Sequence, residues 1–194
     1  MTGRGFKQVY NLKGGIAAWQ GHAAAGPSEM GMVLLEGNET PREVICLAYG
    51  LEEGLRKFYS MSSKLAIDPE VVGILTKLAE IEVKHKQRLF DLYLTIDPTP
   101  LNVETFDSRI TSELMEGGLD PDKLLEQSMP AFKTAAGVLD FAMTLEAQAM
   151  DLYMRYAEKS DDPEVKNVFY KMANEEKAHL KSLGDLLDKN IDFK

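Results

Sequence analysis

The sequence has little of several features that define common classes of protein. Cys46 is the only cysteine, which excludes an intramolecular disulfide framework and a cysteine-ligated zinc or iron–sulfur site within one chain. It lies in an apolar helical pattern, which favours a buried, unreactive thiol. No apolar run approaches the roughly 18 residues of a membrane span, and no N-terminal stretch reads as a signal peptide. These absences predict a cytoplasmic protein without a membrane partner.

Positive charge is also scarce. The 194 residues contain 22 Lys and Arg against 31 Asp and Glu, a net charge of −9 at pH 7. Nucleic acids and anionic membranes bind basic surfaces, so this balance argues against both as partners. The hydrophobic fraction of 44% is typical of a soluble globular protein with a real core. The length fits one full-sized domain and a short appendage.

Residues 1–27 form the predicted appendage. The pattern indicates a short strand over 8–12, a glycine turn, a short helix over 16–20 and a small-residue linker over 23–27. One strand and one helix cannot bury a core alone. We therefore expect this segment to need a surface that covers it, and a homodimer is the expected assembly.

The rest of the chain, residues 38–190, has the character of an all-α domain. Thr40-Pro41-Arg42-Glu43 is a capping box with proline at the first helical position. Long helices are predicted to about residue 63, then to about 94, over 133–159, and to about 189. A mixed crossover over 95–130 contains a predicted helix near 104–115 and a second short helix after residue 121. Two helix hairpins joined by a long crossover is the connectivity of the ferritin-like four-helix bundle.

The two hairpins match each other at a constant offset of 94 residues. The loop Asp-Pro-Glu-Val occurs at 68–71 and again at 162–165, and no insertion is needed anywhere. Other matching pairs are Thr40 and Thr134, Ala48 and Ala142, Leu51 and Leu145, and Leu89 and Leu183. This regularity indicates an internal duplication.

Each half keeps the same three potential metal ligands. One Glu lies on the first helix of the hairpin, and a Glu-x-x-His follows 30 positions later on the second. Positions i and i+3 share a helix face, so each Glu and His pair can aim at one point. The six residues are Glu52, Glu82, His85, Glu146, Glu176 and His179.

All four Glu residues lie inside apolar stripes at helical spacing, so they are predicted to point inward. Four buried carboxylates would repel one another strongly, and no Lys or Arg occupies these stripes at their level. Two divalent cations would balance four carboxylates, with two neutral imidazoles completing the ligand set. Glu53 falls off the stripe and is expected on a solvated face.

Tyr59 and Tyr153 lie two turns beyond the first-helix carboxylates. One interpretation is core packing with a satisfied hydroxyl group. The other is a hydrogen bond that supports a ligand carboxylate from outside the ligand set. The sequence leaves both open.

At these residues the chain resembles the rubrerythrin branch of the ferritin-like superfamily, over about residues 38–190. The resemblance implies a carboxylate-bridged di-iron site, with Glu82 and Glu176 bridging the metals. It makes the remaining four residues terminal ligands and leaves open which terminal pair shares a metal.

Two features of rubrerythrins proper are missing. One cysteine cannot build their rubredoxin-like iron domain, and Ala149 replaces the extra carboxylate one turn after the third-helix Glu. Both departures argue against NADH-linked peroxidase activity and point to a core that takes electrons from an external donor protein.

Residues 5–19 resemble the last strand and helix of a rhodanese domain, a sulfurtransferase. The rhodanese cysteine loop would lie upstream of them, so the chain is expected to be a truncated rhodanese–rubrerythrin fusion or an internal-start product without sulfurtransferase activity.

The leading hypothesis from the sequence is a di-iron oxidoreductase that reduces hydrogen peroxide or dioxygen. Manganese and zinc also accept carboxylate and imidazole ligands. The alternatives are a ferroxidase or iron-handling protein, and a non-redox metal-binding module of a rhodanese fusion.

Overall fold

The computed structural model describes residues 32–36, 38–97, 102–110, 114–115, 119–128 and 131–191. Four long helices, α1 (Pro41–Leu65), α2 (Pro69–Ile96), α5 (Ala135–Lys159) and α6 (Pro163–Ile191), form the bundle, and the crossover contains α3 (Val103–Arg109) and α4 (Pro121–Ser128). The described residues contain no strand, only an isolated bridge between Met115 and Leu119. The all-α ferritin-like bundle predicted from the sequence is confirmed. The predicted appendage, 1–27, lies outside the described residues.

The helices begin where the sequence predicts. The Thr40 side chain accepts from the Glu43 backbone N–H, and the Glu43 carboxylate accepts from the Thr40 backbone N–H, so the capping box is confirmed. Asp68 and Asp162 each accept from the two backbone N–H groups that follow the proline of their loop. The same cap at the same place in both hairpins shows the duplication in three dimensions.

The two hairpins, α1 with α2 and α5 with α6, pack on each other to enclose the core. Contacts also join α1 to α6 and α2 to α5. The buried apolar side chains fall into two clusters, one toward each end of the bundle. The predicted ligands lie at the level where the clusters meet: on α1, Leu51 belongs to one cluster and Leu55 to the other, with Glu52 between them. Among the described residues, no helix is long and apolar enough to cross a membrane.

The crossover differs from the sequence prediction, because α3 ends at Arg109 instead of continuing to about residue 115. The described part of the crossover packs on the first hairpin. Phe106 anchors α3 there, with its ring 4.9 Å from that of Tyr49 at a right angle and 5.2 Å from that of Phe90. Packing against these rings determines where the crossover lies. The helical pattern of the sequence carries no information about such contacts between distant residues.

An ion-pair network holds the same face, and it corrects the expectation that Glu53 is solvated. The Glu53 side chain is only 15% exposed. Its carboxylate forms ion pairs with Arg56 at 2.7 Å and with Lys86 at 2.6 Å. Burial raises the pKa of Glu53, but hydrogen bonds from these two cations outweigh it and lower the pKa to about 2. Lys86 also pairs with Asp107 of α3 at 2.7 Å. Glu53 therefore helps to fasten the crossover to the hairpin.

Gly54 of α1 lies against the backbone of the crossover at Leu114 and Met115. A Cβ atom at this position would lie 2.3 Å from the Leu114 carbonyl oxygen, which is backbone and cannot rotate away. We expect Gly54→Ala to lower the free energy of unfolding by about 3 kcal/mol, because the crossover must shift.

Gly73 is the matched control for this substitution. It is exposed on α2, and a methyl group added there would have nothing within 4 Å of it. Gly73→Ala should raise the free energy of unfolding by about 0.5–1 kcal/mol through helix propensity alone. Chemical denaturation of both variants tests the pair, and equal effects at the two positions would contradict the close approach at Gly54.

Candidate metal centre

The structure brings the six predicted ligands together in the interior of the bundle. They form two groups of three, and each group comes from one hairpin. Within each group, one ligand atom from every residue lies within 4.8 Å of the other two. The four carboxylates and one imidazole are buried, and the second imidazole is partly exposed. The groups are Glu52, Glu82 and His85 in the first hairpin, and Glu146, Glu176 and His179 in the second.

In the first group, Nδ1 of His85 is the point of convergence. It lies 2.7 Å from Oε2 of Glu82 and 3.4 Å from Oε2 of Glu52. Although these atoms are close, neither contact has the alignment of a hydrogen bond. The ligand atoms of the three side chains therefore lie close together without hydrogen bonds between them, as a group that could hold a metal ion.

The second group repeats this arrangement. Nδ1 of His179 lies 3.0 Å from Oε2 of Glu176 and 3.6 Å from Oε2 of Glu146. The contact with Glu176 does have hydrogen-bond geometry, so the two groups are similar but not identical. In both groups the first-helix Glu lies near the His of its own hairpin, and the Glu of the Glu-x-x-His lies nearer still.

The two groups meet at their imidazole rings. The rings of His85 and His179 are stacked, with centroids 4.1 Å apart and planes within 9° of parallel. Two positively charged imidazoliums at this separation would repel each other. Metal ions bind the neutral form of imidazole, and that form avoids this repulsion.

Burial and neighbouring charges shift the pKa values of the carboxylates when no metal ion is bound. Burial and the neighbouring Glu82 charge raise the pKa of Glu52 to about 8. Burial and the Glu146 charge raise the pKa of Glu82 well above its ordinary value. The pKa of Glu146 is lowered, because its contacts with Glu176 and His179 outweigh burial. Burial therefore disfavours full ionisation of the first group of carboxylates when no cation balances their charge.

The donor set fits two metal ions. Buried atoms without a hydrogen bond among the described residues include both carboxylate oxygens of Glu82, one of Glu52, one of Glu146 and Nδ1 of His85. Leaving such groups unsatisfied costs about 1–3 kcal/mol each, and more when they are charged. Two divalent cations would use these atoms as ligands and would balance four carboxylate charges. The two groups are thus suited to hold metal ions.

A cleft of about 240 Å³ leads from this centre to the surface. His85, Glu146 and His179 contribute to its lining, and the His179 side chain is 18% exposed against 4% for His85. A water molecule occupies roughly 30 Å³ of liquid, whereas drug-sized ligands need pockets of about 300–1,000 Å³. The volume of the cleft is therefore several times that of a water molecule and below the range of drug-sized ligand pockets.

The family model described as rubrerythrin matches residues 137–192. Over this segment the chain is similar to rubrerythrins. The matched residues cover nearly all of α5 and α6 and include the whole second group of ligands. No curated protein matches the chain, and no solved structure does.

The match supports the resemblance to ferritin-like di-iron proteins that the ligand pattern suggests. It covers the second hairpin, and the offset of 94 residues extends the same ligand pattern to the first. The proposed likeness of residues 5–19 to rhodanese receives no support from the match, and those residues lie outside the described ones.

The two tyrosines that sequence reasoning associates with the site are buried core residues. Tyr59 is completely buried, with its ring 5.8 Å from that of Phe58, and Tyr153 is 1% exposed, with its ring 6.5 Å from that of Phe169. These contacts show the packing role. A hydrogen bond from either hydroxyl group to a ligand carboxylate stays a prediction.

Sequence reasoning missed the residues that line the cleft outside the ligand set. Ile81, Lys84 and Arg88 of α2 line it, and Arg88 lies 3.7 Å from Glu175 of α6. The helical spacing of His85 from Ile81 and Arg88 could have suggested these neighbours. Which side of the histidines faces water, however, depends on how α2 packs against α6.

Proposed function

We propose that this protein is a di-iron oxidoreductase that reduces hydrogen peroxide, or dioxygen, with electrons from an external donor protein. The observation that carries the proposal is the pair of three-ligand groups joined across the stacked histidines. A symmetric pair of groups suits two metal ions that act together on one small molecule. The narrow cleft is consistent with a substrate of that size.

The chemistry of the proposed reaction balances without any other cofactor. Two ferrous ions, when bound, supply one electron each. Hydrogen peroxide takes up two electrons and two protons and yields two molecules of water. The external donor then returns two electrons. Six side chains of this chain would hold the ions, and the buried apolar clusters on both sides exclude bulk water.

Carboxylate oxygens and imidazole nitrogens are ligands for iron and manganese, and zinc accepts them too. We propose iron because the chain is similar to rubrerythrins over residues 137–192, and the resemblance to that family implies a di-iron site. Elemental analysis of the purified protein, with anomalous scattering at the iron edge, tests this choice. Tight binding of zinc alone would instead favour the non-redox metal-binding module.

Mixing the anaerobic ferrous protein with hydrogen peroxide in a stopped-flow spectrometer tests the activity. We expect a rapid diferric absorption band, with two iron ions oxidised per molecule of peroxide. Faster reaction with dioxygen, with release of ferric iron, would favour the ferroxidase. No oxidation by either reagent would contradict the proposed function.

The cleft offers a second test, because it should be the route of the oxidant. We expect Ile81→Trp to slow oxidation of the ferrous protein by about tenfold, equivalent to a barrier higher by about 1.4 kcal/mol, while metal content stays the same. Val83→Trp is the matched control, since Val83 is 54% exposed and does not line the cleft. Equal rates in the two variants would show that the oxidant enters elsewhere.

A further inference from the structure

The two stacked histidines differ in exposure, although the duplication places them at equivalent positions. The His85 side chain is 4% exposed and that of His179 is 18% exposed. Arg88 follows His85 by one helical turn, and Ser182 follows His179 by one turn. Side chains on a helix lean toward its N-terminus, so each of these residues lies over the turn that holds its histidine. The less exposed histidine is thus the one that lies under an arginine.

Arg88 also reaches from α2 to α6. Its guanidinium nitrogen lies 3.7 Å from the carboxylate of Glu175, and the pair forms a bridge between the two helices on the surface. Because both side chains are more than 40% exposed, the pair should add little to the stability of the bundle. What the bridge does is to occupy the surface beside His85.

The offset of 94 residues shows what replaces this pair in the other half. Arg88 corresponds to Ser182, and Glu175 corresponds to Ile81. Both replacements line the cleft. The Ser182 hydroxyl group donates to the backbone oxygen of Ala178 at 3.0 Å, so it turns back to its own helix. Where one half has an ion pair between α2 and α6, the other therefore has two uncharged side chains beside an opening.

The cleft reaches more of the second group of ligands than of the first. Glu146 and His179 line it from the second group, and His85 lines it from the first. Lys84 also lines the cleft, but no described residue forms an ion pair with it that would hold it across the opening. A molecule in the cleft therefore meets more of the second group.

We propose that Arg88 and Glu175 close the approach to the first group of ligands, while Ser182 and Ile81 leave the second group open to small molecules. The two groups have the same ligands, and these four residues make them unequal in access. The choice of molecule rests on the proposed function: hydrogen peroxide and dioxygen are small and uncharged, as the two side chains on the open side are uncharged. None of the four residues is a metal ligand.

Chemical modification of the metal-free protein tests access without any metal or redox reaction. Diethyl pyrocarbonate acylates accessible imidazole rings, and peptide mapping by mass spectrometry reports each histidine separately. Ile81→Glu combined with Ser182→Arg copies the closed pair into the open half. In this closed variant, His179 should be modified several times more slowly than in the parent protein.

The reverse exchange opens the other half. Arg88→Ser combined with Glu175→Ile copies the open pair into the closed half, and His85 should then be modified several times faster than in the parent protein. Each histidine is compared with itself in the parent, so a difference in intrinsic reactivity between the two rings does not affect the result.

Lys181→Ser combined with Asp185→Ile is the matched control. It removes an exposed ion pair of α6 whose two residues do not line the cleft, so both histidines should react as in the parent protein. Unchanged reactivity of His179 in the closed variant, or of His85 in the opened variant, would overturn the proposal. Circular dichroism identifies a variant that fails to fold, and the other variant then decides.

Oxidation of the anaerobic ferrous protein by hydrogen peroxide connects access to the proposed function. The closed variant should react about tenfold more slowly than the parent protein, and the opened variant at least as fast as the parent. If peroxide and dioxygen oxidise neither the parent nor the variants, the proposed function fails but the access measured on the metal-free protein stands. If the closed variant protects His179 and is still oxidised at the parent rate, the oxidant does not use the open side, and the proposal is overturned.

Discussion

Replacing Glu82 with Gln is expected to weaken metal binding and, in the same protein, to stabilise the metal-free fold. Glu82 is 1% exposed, and neither of its carboxylate oxygens has a hydrogen bond among the described residues. Loss of residues that merely support metal ligands costs about 10–100-fold in affinity, so loss of a ligand should cost at least as much. Without metal, a neutral amide removes a buried ionisable group that burial disfavours.

The two effects are measured separately. Titration with ferrous or manganous ions should show at least about a 100-fold loss of affinity at one or both sites. Thermal unfolding of the metal-free variant at pH 8 should show a gain of the order of 1 kcal/mol or more. Glu80→Gln is the matched control, because Glu80 is exposed on the same helix two residues away. A Glu82→Gln protein that binds two metal ions with unchanged affinity would refute the assigned site.

The metal-free protein is expected to lose stability as the pH rises from about 4.5 to about 8. In this range the folded protein holds protons that the unfolded chain releases, because the pKa of Glu52 rises from 4.5 to about 8 on folding. The pKa of Glu82 shifts in the same direction. The pKa of His85 also rises, since the neighbouring Glu52 carboxylate outweighs the opposing effect of burial.

The sign follows from proton linkage. When the folded state binds more protons than the unfolded state, the free energy of unfolding decreases with pH. Each unit of pKa shift is worth about 1.4 kcal/mol, so Glu52 alone contributes a few kcal/mol over this range. The stabilisation from its retained proton is complete below pH 4.5 and is lost as the pH passes its folded pKa.

Bound metal should reverse this dependence. Metal ions bind the deprotonated carboxylates and neutral imidazoles, so metal affinity increases with pH and adds to the stability of the folded state. Chemical denaturation at several pH values, with and without saturating manganese, tests the pH dependence of stability expected for the metal-free protein and for the metal-bound protein. If the free energy of unfolding of the metal-free protein rose between pH 5 and 8, this would contradict the raised pKa values of the buried carboxylates. Parallel curves with and without metal would contradict their role as ligands.

Much of the bundle could be predicted from local signals. Thr40, Asp68 and Asp162 mark helix starts because their short side chains satisfy the free backbone N–H groups of the first turn. The bundle core follows from helical periodicity. Glu52 could be placed in the interior because its neighbours at helical spacing are apolar. The partial burial of Glu53, one residue further, depends on its ion pair with Lys86, which periodicity does not reveal.

The sequence by itself determined the six potential ligands, their division into two equal groups and the helices that carry them. Spacing along a helix and an internal duplication can both be read from the linear sequence, without knowledge of how the helices pack. Tertiary structure alone decided which side of the site opens to water and where the crossover lies. Those features depend on contacts between residues far apart in the chain, such as Lys86 with Asp107 and His85 with His179.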